Sequence, residues 1–278
     1  VSIVKTAKHK VRLVDGLSPD LELSSAAIER GREALLSIAN LLNSYDIDLV
    51  RIVATHTLRK SINADKFQDM ADTVLPFPVE IISGEEEARL IFRGVSQTTD
   101  LTGNTLIIDI GGGSTEFVIG ERQQVKVARS IEIGCVSFTN RYFANGKMTV
   151  AQFDGAIDYA KQQLQDIEAE YLAEGWQRCL GTSGSVESVL TAAALRFNRG
   201  DDYALSLQDL YELKHYCLAI KRLEDLEIGE QNEDRKHVFA GGLTILIAIF
   251  ETFNVTAMHF ANTALREGVI YDMLPDLY

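Results

Sequence analysis

Apolar positions along the first hundred residues change period several times. Val1 to Val14 alternates and predicts a strand. From Ser24 to about Ser44 the spacing is helical, with Ile28, Leu35, Ile38, Ala39 and Leu42 on one stripe and Ser24 placed as the cap. Leu49 to Ala54 reads as a strand. Asn63 then caps a helix that turns Phe67, Met70, Ala71 and Val74 inward. Pro78 to Ile82 reads as a strand, and Ser83 opens a helix to about Gln97. The order is β-α-β-α-β-α.

A second series follows the polar stretch from Gln97 to Asn104. Thr105 to Ile110 predicts a strand that ends in a glycine loop. Thr115 to Gly120 and Gln124 to Ile133 are strands joined by a short polar turn. Thr149 to Ala173 is a long helix, Trp176 to Leu180 a strand, and Ser185 to Phe197 a helix. Further helices run from Ser206 to Lys221 and from Glu233 to Phe253. Thr256 to Ala261 is a strand and Leu265 to Leu274 a last helix. Without the inserted helices this order is β-β-β-α-β-α-β-α. It matches the first series if the first has lost its opening hairpin, an architectural repeat with no visible sequence repeat. The expectation is an α/β protein of two similar lobes, 1–98 and 99–278, with a cleft between them.

Composition narrows the function classes. The 278 residues carry 27 Lys and Arg against 40 Asp and Glu, a net charge of −13, with 46% hydrophobic and 24% charged residues. That balance suits a globular core. It disfavours nucleic-acid partners, which usually meet a basic stripe. An acidic chain that binds an anion must hold it with local devices such as backbone N–H groups, a few arginines or a divalent metal. The longest apolar run, Val238 to Phe250, is short for a bilayer span and reads as a buried helix, so no membrane partner is expected. The first residues lack a signal core, and three scattered cysteines (Cys135, Cys179, Cys217) argue against disulfides and a zinc site. A reducing cytoplasm is the expected compartment.

The segment IIDIGGGSTEFVIG, Ile107 to Gly120, carries the most chemistry. A hydrophobic strand delivers Asp109 to its end. Gly111, Gly112 and Gly113 then permit a tight reversal with positive φ, and their N–H groups can converge on a phosphate. Ser114 and Thr115 add hydroxyl donors, and Asp109 and Glu116 could carry a divalent cation directly or through water. No Gly-Lys-Ser/Thr follows, so this is not a P-loop. The loop leads into a strand, so it is not a dinucleotide fingerprint.

In SGEEEARLIFRGV, Ser83 and Glu86 form a capping box and three glutamates suit the helix dipole. Helical angles separate them. Glu87 shares a stripe with Leu90, Ile91 and Gly94 and points toward the interior or a cleft. Glu85 lies opposite, placed to pair with Arg89 at i+4. A half-buried Glu87 would have its pKa raised toward a general base's working range. Elsewhere, Arg59 enters a loop after a strand and suits a bidentate phosphate contact, as it also suits the surface. Ser183 and Gly184, in GTSGSVES, open a helix whose N–H groups suit an anion, though ordinary capping explains much of the pattern. Arg266 sits in the first turn of the last helix, where either an anion or Glu267 would balance it. No histidine is assigned to metal.

Taken together, IIDIGGGSTE, ISGEEEARLIF, VATHTLRKSIN, IGCVSF and ALREGV resemble the exopolyphosphatase / guanosine pentaphosphate phosphohydrolase family from about Lys10 to the C-terminus. The stretches RYFANG, RLEDLEIGEQNEDRKHVFAGGLTILIAIF and ALREGVIYDML are closer to its guanosine pentaphosphate branch. The resemblance implies duplicated ribonuclease H-like lobes of the actin-like ATPase, sugar-kinase-like class. It implies Mg²⁺-dependent hydrolysis of a terminal phosphoanhydride. Guanosine pentaphosphate would give guanosine tetraphosphate and phosphate, in the alarmone metabolism of the stringent response. Polyphosphate is the alternative substrate, a non-catalytic alarmone sensor the alternative function, and a homodimer is allowed. By family match Glu87 would activate the attacking water, Asp109 and Glu116 would help place the metal and water, Gly111 to Thr115 would hold phosphates, and Arg59 and Arg266 would neutralise phosphate charge, with Glu116 and Arg59 counted as catalytic beside Glu87. The family's opening hairpin carries a further phosphate loop of the type Asp-x-Gly-Ser-Asn-Ser, which this sequence lacks. Many long members continue into a C-terminal helical domain. Asn262, Thr263 and Ser185 depart from the usual family residues, which bears on nucleotide preference.

Overall fold

The computed structural model describes residues 3–200 and 203–274. The chain divides into two compact units, Val1–Ser83 and Gly84–Tyr278.

In the first unit, helix α1 (Ser25–Leu42) starts where its cap predicts, with Ser24 Oγ accepting from Ala27 N at 3.4 Å. Strand β1 (Ile52–Ala54) pairs in parallel with β2 (Val79–Ile81). Between them lie α2 (His56–Lys60), in a stretch expected as loop, and α3 (Ala64–Asp72). Asn63 precedes α3 but does not cap it. Its Oδ1 accepts from Leu23 N at 2.8 Å and its Nδ2 donates to Leu23 O at 3.0 Å, fastening α3 to the approach of α1. Leu23, Ala27, Leu58, Phe67, Ala71 and Val79 form the core.

The expected strand over Val1 to Val14 is not found. Val1 and Ser2 lie outside the described residues, residues 3–12 have no regular structure, and Leu13–Gly16 is a 3₁₀ turn. Alternation alone does not make a strand without a ladder partner, and Ile3 and Val4 are exposed. Among the described residues the first unit has only β1 and β2.

The second unit holds a five-stranded sheet. Strands β3 (Thr105–Ile110), β4 (Thr115–Glu121) and β5 (Gln124–Ile131) form an antiparallel meander. Strand β6 (Arg178–Thr182) runs parallel to β3 and β7 (His259–Phe260) parallel to β6, in the order β5-β4-β3-β6-β7. Its helices are α4 (Gly84–Ser96), α5 (Cys135–Tyr142), α6 (Val150–Glu174), α7 (Ser183–Phe197), α8 (Leu207–Ile220), α9 (Lys236–Phe253) and α10 (Leu265–Met273). The order matches the predicted β-β-β-α-β-α-β-α with α5 added. The parallel β6–β7 pair repeats the β1–β2 pair of the first unit.

Helix α4, read from sequence as the end of the first lobe, packs within the second unit, so the division falls at Ser83/Gly84 rather than at 98/99. The cause is its apolar stripe, since Ala88, Ile91, Phe92 and Val95 share a core with Ile107, Val118 and Leu180 of the sheet. The other face of the sheet, with Leu106, Ile108, Ile110, Phe117 and Ile119, packs in the main core with α6 and α9. Tyr171 of α6 is fully buried there and donates to Phe117 O at 2.6 Å. Helix α9 is longer than its apolar run suggests. With the 3₁₀ turn Glu230–Arg235 before it, it has the length and hydropathy of a membrane span, yet it is largely buried inside the unit.

Candidate active site

Strand alternation decides which face each acidic side chain takes. Ile107 and Val118 face α4. Asp109 lies two residues after Ile107 and Glu116 two before Val118, so both side chains project to the same face. The two are direct cross-strand partners. Glu87 lies on α4 beside Ala88 and Ile91, at 7% exposure, whereas Glu85 is exposed as expected.

Three carboxylates therefore share one buried region, and electrostatics record it. Burial, then the charge of Glu87, pushes Asp109 from an ordinary 3.8 up to about 7. Glu116 is raised by burial, then by Glu87 and Asp109, partly offset by hydrogen bonds from Ser114 and Ser130. Ser130 Oγ donates to Glu116 Oε1 at 2.8 Å. Arg89 does not pair with Glu85. It forks onto Glu86 with two bonds of 2.7 Å, because Asp272 on α10 draws it to that side at 2.9 Å.

The glycine loop lies at the β3–β4 turn. None of Gly111, Gly112 and Gly113 is among the glycines with positive φ, so the expected reversal through left-handed backbone does not occur. The carbonyls of Gly111 and Gly112 are tied to the N-terminus of α5: Cys135 N donates to Gly111 O at 3.0 Å, and Val136 and Ser137 donate to Gly112 O at 3.0 and 3.1 Å. Gly134 permits this approach, since a Cβ there would stand 2.4 Å from the Gly112 carbonyl carbon and oxygen and from Gly113 N. With the carbonyls turned toward α5, the N–H groups of Gly112, Gly113 and Ser114 meet no acceptor among the described residues. Backbone N–H groups left unspent at a turn are available to an anion.

The hydroxyls expected to assist are used internally. Thr115 Oγ1 is buried and donates to Ile133 O at 2.5 Å, and the Ser114 hydroxyl serves Glu116. Ser183 opens α7 with φ 81°, a costly conformation for a serine, and its buried Oγ has no partner among the described residues. Gly184 lies under the Arg235 guanidinium, where a Cβ would meet Nη2 at 2.0 Å. Arg235 also acts electrostatically on Cys135, the first residue of α5, so its charge stands near both the glycine loop and α7. Sequence reasoning misses this residue, because nothing in its acidic surroundings, EQNEDRK, marks it as a ligand.

Arg59 belongs to the first unit, on α2, where Nη1 donates to Ile82 O at 2.9 Å. Arg266 is 70% exposed beside Glu267 at 3.7 Å, and no contact joins it to the glycine loop among the described residues. Their phosphate roles rest on the resemblance alone.

Two carboxylates side by side suit a cation that keeps most of its waters, as Mg²⁺ does. The three carboxylates repel one another but do not together form a metal-binding group, since no cluster of three or more His, Cys, Asp or Glu able to hold a metal occurs among the described residues. Asp109 and Glu116, destabilised as anions by burial and by Glu87, fit such a cation, whose charge would relieve that cost.

Comparison with known proteins follows the same lines. The model of the Ppx/GppA phosphatase family matches residues 1–277. A guanosine-5'-triphosphate,3'-diphosphate pyrophosphatase of Aeromonas salmonicida is 43% identical over 271 residues, covering 98% of this chain and 54% of that protein. The protein of that name in Vibrio cholerae is 40% identical over 277 residues, covering 100% and 55%. The chain thus spans about half the length of the curated relatives it matches. A solved exopolyphosphatase from Cytophaga hutchinsonii superposes with a TM-score of 0.85 at 25% identity, covering 96% of this chain and 88% of that one. The Aquifex aeolicus family member shares the fold, with a TM-score of 0.76 at 22% identity over 96% and 87% of the two chains. The α/β fold expected from the resemblance is thus the one found, and by the family match over residues 1–277 and the identity to its relatives the chain belongs to the Ppx/GppA phosphatase family.

Proposed function

We propose that the chain hydrolyses a terminal phosphoanhydride, with guanosine pentaphosphate cut to guanosine tetraphosphate and phosphate in the stringent response. The observation that carries this reading is the convergence of Glu87, Asp109 and Glu116 on one face of the sheet, beside a loop with unspent N–H groups. The relatives' names, quoted above, favour this substrate.

In this mechanism the N–H groups of Gly112, Gly113 and Ser114 hold the terminal phosphate and meet the negative charge that grows there. Glu87 takes a proton from water as its oxygen attacks the terminal phosphorus. The bridging P–O bond breaks, and the leaving oxygen keeps the electron pair. Asp109 and Glu116 would hold Mg²⁺, which when bound neutralises phosphate charge. The three free cysteines, all buried, fit a reducing cytoplasm.

The test measures phosphate release by the wild type and Glu87→Gln, with Mg²⁺, from guanosine pentaphosphate, polyphosphate and ATP. Loss of a general base predicts a fall of about 10²–10⁴-fold in kcat with little change in KM. Equal activity of the variant removes Glu87 from the chemistry. Tight binding without turnover by the wild type makes the chain a sensor. Turnover of polyphosphate alone moves the assignment to an exopolyphosphatase, the name carried by the Cytophaga structure.

A further inference from the structure

Helix α4 crosses α10 with backbone against backbone. A Cβ on Gly94 would stand 2.2 Å from Ala264 O and 2.8 Å from Gly268 N, and a Cβ on Gly268 would stand 1.8 Å from Leu90 O. Leu90 and Gly94 share the stripe of Glu87, so this crossing begins one turn along the helix from the carboxylate. A second set of contacts holds the flank. Arg89 Nη2 meets Asp272 Oδ1 at 2.9 Å, Arg93 Nη1 meets the same oxygen at 3.5 Å, and Arg93 Nη2 donates to Tyr271 O at 3.0 Å. Leu90 and Ile91 beside this arrangement are buried at 0% and 2% exposure, so a change in the α4–α10 contact is felt along α4.

We propose that α10 is the positioning element for Glu87, with Gly268 setting the depth of α4 and Asp272 its rotation about its own axis. The inference rests on the reading of Glu87 as the base. Neither residue touches the reacting atoms. Each acts through α4, which ties the base to a helix far later in the chain. A methyl on Gly268 cannot share space with the Leu90 carbonyl. Restoring ordinary contact requires α4 and α10 to part by about 1.5 Å, a separation that α4 shares, and a misplacement of about 1 Å at a reacting group can cost about 10²-fold.

The experiment compares the wild type, Gly268→Ala, Asp272→Asn and Asp272→Glu by crystal structure and by kcat and KM for phosphate release with Mg²⁺. Gly268→Ala is expected to move Glu87 about 1 Å or more from its place beside Asp109. Its kcat should fall at least about tenfold while KM stays within about twofold. Asp272→Asn, which introduces no overlap and carries the test if the alanine variant does not fold, should lower kcat severalfold, with Asp272→Glu restoring most of it. Glu87 unmoved in the folded variants, or moved with unchanged kcat, overturns the proposal. A wild type inactive on every substrate overturns the hydrolase reading instead, and the displacement of Glu87 then decides the positioning role by itself.

Discussion

Replacing Asp109 by Asn should stabilise the protein in a manner that depends on pH. Wild-type Asp109 is pushed from an ordinary 3.8 to about 7 in the fold, first by burial and then by Glu87. At pH below about 4 the carboxyl is protonated in both folded and unfolded states, and its amide isostere should differ little. Between about 4 and 7 the unfolded chain sheds the proton while the folded chain keeps it, so the folded state binds more protons and stability falls as pH rises. Above about 7 the full cost is present. Some three pH units at about 1.4 kcal/mol each set a ceiling near ~4 kcal/mol, and sharing of the charge among the three carboxylates spreads it. The amide of Asp109→Asn escapes this cost and also relieves Glu116 of one repulsive neighbour. Urea unfolding of both proteins in metal-free buffer from about pH 4 to about pH 9 measures the gap. It should be near zero at the acid end, widen through about pH 7 and then level off, and added Mg²⁺ should narrow it by stabilising the wild type selectively. A gap independent of pH, or one that favours the wild type without metal at about pH 8, would refute the account of the site as mutually repelling buried acids. Phosphate release should be lost in the same variant.

Two further perturbations probe parts that serve the site and the fold. Gly134→Ala places a methyl 2.4 Å from the Gly112 carbonyl, so it should cost about 1–3 kcal/mol in chemical denaturation and raise KM as the loop N–H groups are displaced, whereas unchanged KM would detach the loop from substrate. Asn63→Ala removes two bonds to the Leu23 backbone and leaves a buried N–H and C=O unmet, so urea melts should show a loss of about 2–4 kcal/mol in the first unit with the unfolding of the second unit unchanged.

Local pattern made much of this protein legible. The cap Ser24 starts its helix where it stands in the sequence, and the helices expected from Thr149 and Ser206 begin there too, each capped by that residue, because a cap needs only residues within a few positions. The β3–β4 hairpin and its glycine loop were legible for the same reason. The side of α4 that buries Glu87 followed from helical periodicity alone. Long-range partners were not legible. Asn63 looks like a cap in the sequence, but Leu23, far earlier in the chain, claims its amide. Arg89 turns to Glu86 because Asp272 lies on that side, and the glycine loop turns its carbonyls to α5, a helix the periodicity does not reveal. Val1 to Val14 alternates like a strand but finds no ladder among the described residues. Spacing along one chain determines which face a side chain takes. What meets that face depends on segments brought together across long stretches of sequence, and only the packed structure decides that, since burial and pairing are properties of the neighbours as much as of the residue.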